Sequence, residues 1–144
     1  MPSVQSKAES VWEGTLFEGK GTVTPESGAF GTLPVTWASR TQRSQGKTSP
    51  EELIAAAHSA CYAMAFSNTL AKQGKNPTRL EISATVTFEP GVGVTASDLT
   101  VKGQVPGLSQ EEFARLAAEG EKGCPVSNAL RNNVKITVNA TLES

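Results

Sequence analysis

Residues 49–66 read SPEELIAAAHSACYAMAF, and the rest of the chain is arranged around them. Ser49 suits an N-cap, Pro50 the first helical position and Glu52 the third, which is the pattern of a capping box. Glu51 and Glu52 also complement the positive end of a helix dipole. The spacing predicts a helix running to about Gly74, roughly 36 Å long at 1.5 Å per residue. Between Leu53 and Phe66 only His58 and Tyr62 are neither apolar nor small. A helix apolar around most of its circumference is buried on most sides. A chain of 144 residues with this few partner elements cannot cover it, so a second copy of the chain is expected to do so. The small residues Ala55, Ala56, Ala57, Ser59 and Ala60 allow close approach.

Strand patterns flank this helix. On its N-terminal side, Ser10 to Leu16 and Gly21 to Thr24 read as strands joined by the turn FEGKG. Phe30 to Ala38 reads as a third, in which Leu33, Val35 and Trp37 alternate with Thr32, Pro34 and Thr36. Pro34 has no N–H for a ladder, so this strand is expected at an edge. Arg40 to Lys47 reads as a polar loop. On the C-terminal side, Leu80 to Glu89 and Val134 to Leu142 alternate cleanly, while Leu99 to Val105 alternates less strictly. Ser109 and Glu112 form a second capping box ahead of Phe113, Leu116 and Ala117, in a helix that stops near Gly123. A short third helix follows, with Pro125 at its first position and Val126, Ala129 and Leu130 facing inward. The order βββ–α–ββ–αα–β is an α+β arrangement in one domain, residues 1–144. The period-2 strands predict antiparallel sheets with one wet face.

Composition removes several classes of function. Lys and Arg number 13 and Asp and Glu 14, a net charge of −1, which lacks the electrostatic footprint of a nucleic-acid binder. No stretch approaches the roughly 18 apolar residues of a membrane span. The opening MPSVQSKAESVWEG has no apolar signal region, so a cytoplasmic location is the expectation. No GxSxG, GxGxxG or GxxxxGK[ST] motif occurs. With two cysteines 63 residues apart and one histidine, a zinc site is not expected.

Two thiols without metal spacing leave redox chemistry or plain packing. Cys61 lies mid-helix, where a free cysteine fills space or reacts. Eleven residues past Pro50, it is too far from that helix N-terminus to gain from the dipole, so its activation requires a cation. Arg40 and Arg43 are the candidates, with Glu51 or Glu52 to orient the guanidinium. Cys124, in Gly123-Cys124-Pro125, has the opposite setting: as N-cap of the third helix it sits among free amides, and by local physics is the more acidic thiol or a small capping residue. His58, one turn before Cys61, is either a base for a Cys-His hydrolase or acyl transferase, or a hydrogen-bonded core residue. A third possibility is a non-catalytic binder that holds a lipid-like ligand in the apolar pocket.

The stretch Thr48 to Cys61 resembles the signature of the OsmC/Ohr family of bacterial thiol peroxidases, and Lys122-Gly123-Cys124-Pro125-Val126-Ser127 resembles its second signature. Trp12-Glu13-Gly14, Gly19-Lys20-Gly21 and Glu26-Ser27-Gly28 resemble the family's N-terminal hairpin. The pattern Pro-Glu-Glu-Leu-Ile-Ala-Ala-Ala-His is closer to the OsmC branch. The resemblance implies an antiparallel-sheet fold around a buried helix, in an intertwined homodimer with sites at the subunit boundary. It implies reduction of organic hydroperoxides, with hydrogen peroxide as a second candidate. It also implies Cys61 as the peroxidatic thiol, Cys124 as the resolving thiol and Glu51 with Arg40 as the activating pair. The loop between Arg40 and Glu51 is one residue longer than the family pattern, which leaves Arg43 as the alternative. The reductant implied is a lipoyl protein or a small dithiol, and no metal or organic cofactor is required.

Overall fold

Ala8–Glu13 (β1), Lys20–Pro25 (β2) and Leu33–Val35 (β3) make an antiparallel sheet in the order β1-β2-β3. This is a computed structural model and describes residues 2–42 and 46–143. Trp12 of β1 stands opposite Gly21 of β2. A Cβ on Gly21 would lie 2.5 Å from the indole, so only glycine lets the ring lie across the strand there. β3 is at the sheet edge, where Pro34 lacks nothing by having no N–H.

The third strand is shorter than the alternation predicts. Thr36 accepts from the Ser39 amide at 3.0 Å, and Ser39 Oγ accepts from the Thr36 amide at 2.9 Å. This reciprocal cap opens a helix at Trp37–Gln42 (α1). Trp37 is therefore helical rather than a strand residue, and Arg40 lies on α1 rather than in a loop. Arg43 lies outside the described residues.

The chain forms two compact units, Met1–Pro50 and Glu51–Ser144. The second is built on Pro50–Lys72 (α2), about 35 Å long by its rise. It also contains Arg79–Glu89 (β4), Gly93–Gln104 (β5), Gln110–Lys122 (α3), Pro125–Leu130 (α4) and Lys135–Leu142 (β6). β4 pairs antiparallel with β5, as expected. β6 pairs parallel with β5, which corrects the all-antiparallel expectation. Alternation reports which face is wet, not strand direction. The two helices between β5 and β6 supply the long crossover that a parallel neighbour requires.

The sheet face carrying Leu80, Ile82, Leu99, Val101, Ile136 and Val138 packs with Tyr62, Phe66 and Leu70 of α2 and Phe113 and Leu116 of α3. β5 alternates weakly in sequence because Gly103 takes an inward position. A Cβ there would lie 2.6 Å from the Phe113 ring, so the ring occupies the space a side chain would fill. α3 approaches α2 closely at Gly120, 3.0 Å from the Phe66 Cα by the same measure. Its predicted capping box is present, Ser109 Oγ accepting from the Glu112 amide and Glu112 returning to the Ser109 amide. Of α2, the residues buried are Glu51, His58, Tyr62, Phe66 and Leu70. Ala56, Ala57, Ala60 and Met64 stay exposed, Met64 at 70%. The helix is thus covered on one stripe by its own chain rather than on most sides.

Candidate active site

In the Glu51–Ser144 unit Cys61 and Cys124 are close enough for each thiol to act on the other, and both are free. Cys124 is fully buried and Cys61 half-buried. Their order explains the contact. Cys61 lies in the middle of α2, and Cys124 is the N-cap residue of α4. Pro125 at the first helical position has no N–H, so the first amide α4 has to offer is that of Val126. That amide lies near enough to Cys61 to favour its thiolate. The reasoning about its own helix holds, but the amide comes from α4, which the chain places across from it. Cys124 itself makes no side-chain capping hydrogen bond.

Burial pushes the Cys61 thiol up, the Val126 amide pulls it down and Cys124 pushes it up again; the net direction is up. A nearby cation would favour the thiolate of a thiol in this condition.

His58 is fully buried. Its Nδ1 lies 2.6 Å from Ser97 Oγ on β5, and its Nε2 lies 2.7 Å from Ser127 Oγ on α4. Burial pushes the imidazole below its usual range against the opposing pull of Glu121, so it is neutral near pH 7. With each ring nitrogen bound to a serine, neither is available to take a proton from Cys61. This favours the core-residue reading of His58 over the Cys-His hydrolase. Beside it, Tyr62 donates its hydroxyl to Ala117 O at 2.8 Å, and burial holds the phenol well up.

The segment carrying Cys124 is also clipped at its ends. Glu121 near the end of α3 is 7% exposed and takes Arg131 on both oxygens, at 2.9 and 3.1 Å. Arg131 Nη2 also donates to Asn128 Oδ1 at 2.9 Å. The planar guanidinium fork suits this two-pronged contact. Sequence reasoning missed the serines at 97 and 127, the Val126 amide and this ion pair, because each joins residues beyond one helical turn, from 10 positions apart for Glu121 and Arg131 to 69 for His58 and Ser127.

Glu51, on the first turn of α2, is 6% exposed. In the other unit, Arg40 places its guanidinium 5.9 Å from the Trp37 ring centroid, and Phe17 meets that ring edge-on at 5.6 Å. Among the described residues no cluster of His, Cys, Asp or Glu is arranged to hold a metal ion. No helix among them is long and apolar enough to cross a membrane.

Residues 43–139 match the family model described as OsmC-like protein. The chain is 36% identical over 145 residues to the Peroxiredoxin OsmC of Escherichia coli strain K12, covering 99% of each. It is 30% identical over 92 residues to an Organic hydroperoxide resistance protein of Xanthomonas axonopodis pv. citri, covering 63% of this chain and 65% of that one. In fold it is similar to a crystal structure of an organic hydroperoxide resistance protein OsmC from Legionella pneumophila, with a TM-score of 0.72 at 23% identity, covering 98% and 99%. It is likewise similar to an OsmC-like protein of Mycoplasma pneumoniae, with a TM-score of 0.72 at 19% identity.

Proposed function

The chain belongs to the OsmC family, and from that premise we propose that it is a thiol-dependent peroxidase that reduces organic hydroperoxides to alcohols. The observation that carries the reading is the juxtaposition of Cys61 and Cys124, thiols 63 residues apart in sequence that meet between α2 and α4. The Cys61 thiolate attacks the outer oxygen of ROOH, the O–O bond breaks, and the departing alkoxide takes a proton to leave as ROH. Cys61 becomes a sulfenic acid. Cys124 then attacks the Cys61 sulfur, water leaves, and a disulfide forms. A dithiol reductant, on a lipoyl protein or as a small molecule, exchanges with that disulfide and restores both thiols.

Arg40 is assigned the activating role and Glu51 the orienting one. Two features support this: Glu51 is buried, and a buried carboxylate requires a partner of opposite charge or equivalent hydrogen bonds. The net upward push on Cys61 makes a cation necessary. The guanidinium also stabilises the alkoxide developing on the leaving oxygen. One domain spans residues 1–144, and it works in the cytoplasm as an intertwined homodimer with its sites at the subunit boundary.

Thiol titration before and after one equivalent of cumene hydroperoxide tests the chemistry. Two thiols per chain are expected to disappear and to return with dithiol. Retention of both, with the hydroperoxide unconsumed, sinks the peroxidase and favours a binder of lipid-like ligands.

The dimer rests on the uncovered apolar face Ala56, Ala57, Ala60 and Met64 of α2, the kind of face that partner subunits cover. Sedimentation at micromolar concentration is expected to give a species of twice the chain mass. A single-chain species under those conditions removes the shared-site arrangement.

A further inference from the structure

The one histidine of the chain is the centre of a buried polar bridge that the peroxidase chemistry does not use. Ser97, His58 and Ser127 are each fully buried, and the ring joins β5 to α2 and α2 to α4 through bonds of 2.6 and 2.7 Å. An apolar side chain of the same volume would fill this space without a desolvation cost, so the retained polarity needs a reason beyond packing.

Position supplies that reason. α4 has six residues, too few to hold itself in place by its own hydrogen bonds. Ser127 adjoins Val126, whose amide meets Cys61, and follows Cys124 by one helical turn. His58 precedes Cys61 by one turn of α2. The His58–Ser127 bond and the Val126–Cys61 contact are therefore neighbouring ties between the same two helices. The groups facing the ring are Ser97 from β5, Ser127 from α4 and, electrostatically, Glu121 from α3.

We propose that His58 is a positioning residue: by holding Ser127 it keeps the first turn of α4 against Cys61, and so sets how well the Val126 amide meets the Cys61 sulfur and how readily the two sulfurs join. The inference deepens the peroxidase reading and rests on it for the second of these effects. The imidazole transfers no proton; both nitrogens stay bound to serines. The Glu121–Arg131 pair ties the end of α3 to the C-cap of α4, while the His58–Ser127 bond ties the first turn of α4 to α2.

Two amide replacements at one position separate this role from general support of the core. Asn reaches the place of Nδ1 and so keeps only the Ser97 contact; Gln reaches the place of Nε2 and so keeps only the Ser127 contact. Both remove the ring and leave one serine without its partner. Iodoacetamide alkylation of Cys61, followed by mass spectrometry across a pH series, reports the thiol directly and involves no peroxide.

His58→Asn is expected to move the alkylation midpoint up by about one pH unit, the size of one lost charge-assisted hydrogen bond. His58→Gln is expected to stay within about 0.3 of wild type on the same scale. With cumene hydroperoxide, His58→Asn is expected to accumulate dimedone-reactive sulfenic acid at Cys61 and to close the disulfide about tenfold more slowly. Ser127→Ala, which removes a single hydroxyl, is expected to match His58→Asn and decides the matter should the Asn variant not fold. Equal shifts in the Asn and Gln variants, or none in Asn and Ser127→Ala, overturn the proposal. Because alkylation needs no peroxide, a wild-type protein that consumes none would count against the peroxidase reading and leave the alkylation arm intact.

Discussion

Replacing Cys61 by Ser is expected to lower hydroperoxide consumption by more than about a thousandfold, because the variant has no thiolate to attack the O–O bond. The fold is expected to survive. Cys61 is half-buried and the swap is nearly isosteric. The contrast is with Cys124→Ser. That variant is expected to consume about one equivalent and then stop, since the first step needs only Cys61 and the disulfide can no longer form. Dimedone labelling should then find a sulfenic acid at Cys61. Peroxide consumption by Cys61→Ser near the wild-type rate, with Cys124→Ser inert from the first turnover, would reverse the two roles. The helix-cap argument from sequence favoured that reversal. In the structure the Val126 amide favours the Cys61 thiolate and Cys124 makes no side-chain cap.

The second large effect concerns the cation. Arg40→Lys keeps the charge and loses the planar fork that can serve a thiolate and a carboxylate together. The expected result is a loss of about ten- to a hundredfold in the second-order rate with cumene hydroperoxide at pH 7, with little change in melting temperature. The sign follows from the thiol. Burial already pushes Cys61 up, so weakening the cation proposed for it is expected to raise it further. The thiolate fraction at neutral pH falls, and the rate profile moves to higher pH. Glu51→Gln is expected to act in the same direction if Glu51 has the orienting role proposed for it. Arg43→Lys is expected to be nearly silent. If Arg43→Lys is instead the crippled variant, the two arginines exchange roles.

Much of the fold was legible because its signals are local. Pro50 with Glu51 and Glu52 opens α2; Ser109 with Glu112 opens α3, and the structure contains that box atom for atom. Alternation in Leu80 to Glu89 and Val134 to Leu142 located two strands within a residue of their observed ends. Where the reading failed locally, a competing local signal was present. The Thr36 and Ser39 cap turns the chain into α1 two residues after Val35, although Trp37 continues the strand alternation. In β5 the pattern was blurred because Gly103 yields its inward place to Phe113, which lies ten residues later in sequence.

The sequence by itself determined the chemistry available: two thiols, one imidazole, no metal spacing and a long apolar helix carrying Cys61. It also determined where α4 begins, since Pro125 can only open a helix there. The tertiary structure alone decided which sulfur receives the free amide of that helix and which partners occupy His58. The parallel seat of β6 beside β5 was decided there too. The physical reason is the same in each case. Caps and alternation act within one or two turns of backbone. The Val126–Cys61, His58–Ser127 and His58–Ser97 contacts join residues 39 to 69 positions apart, and only the packing of α2 against β5 and α4 makes them neighbours.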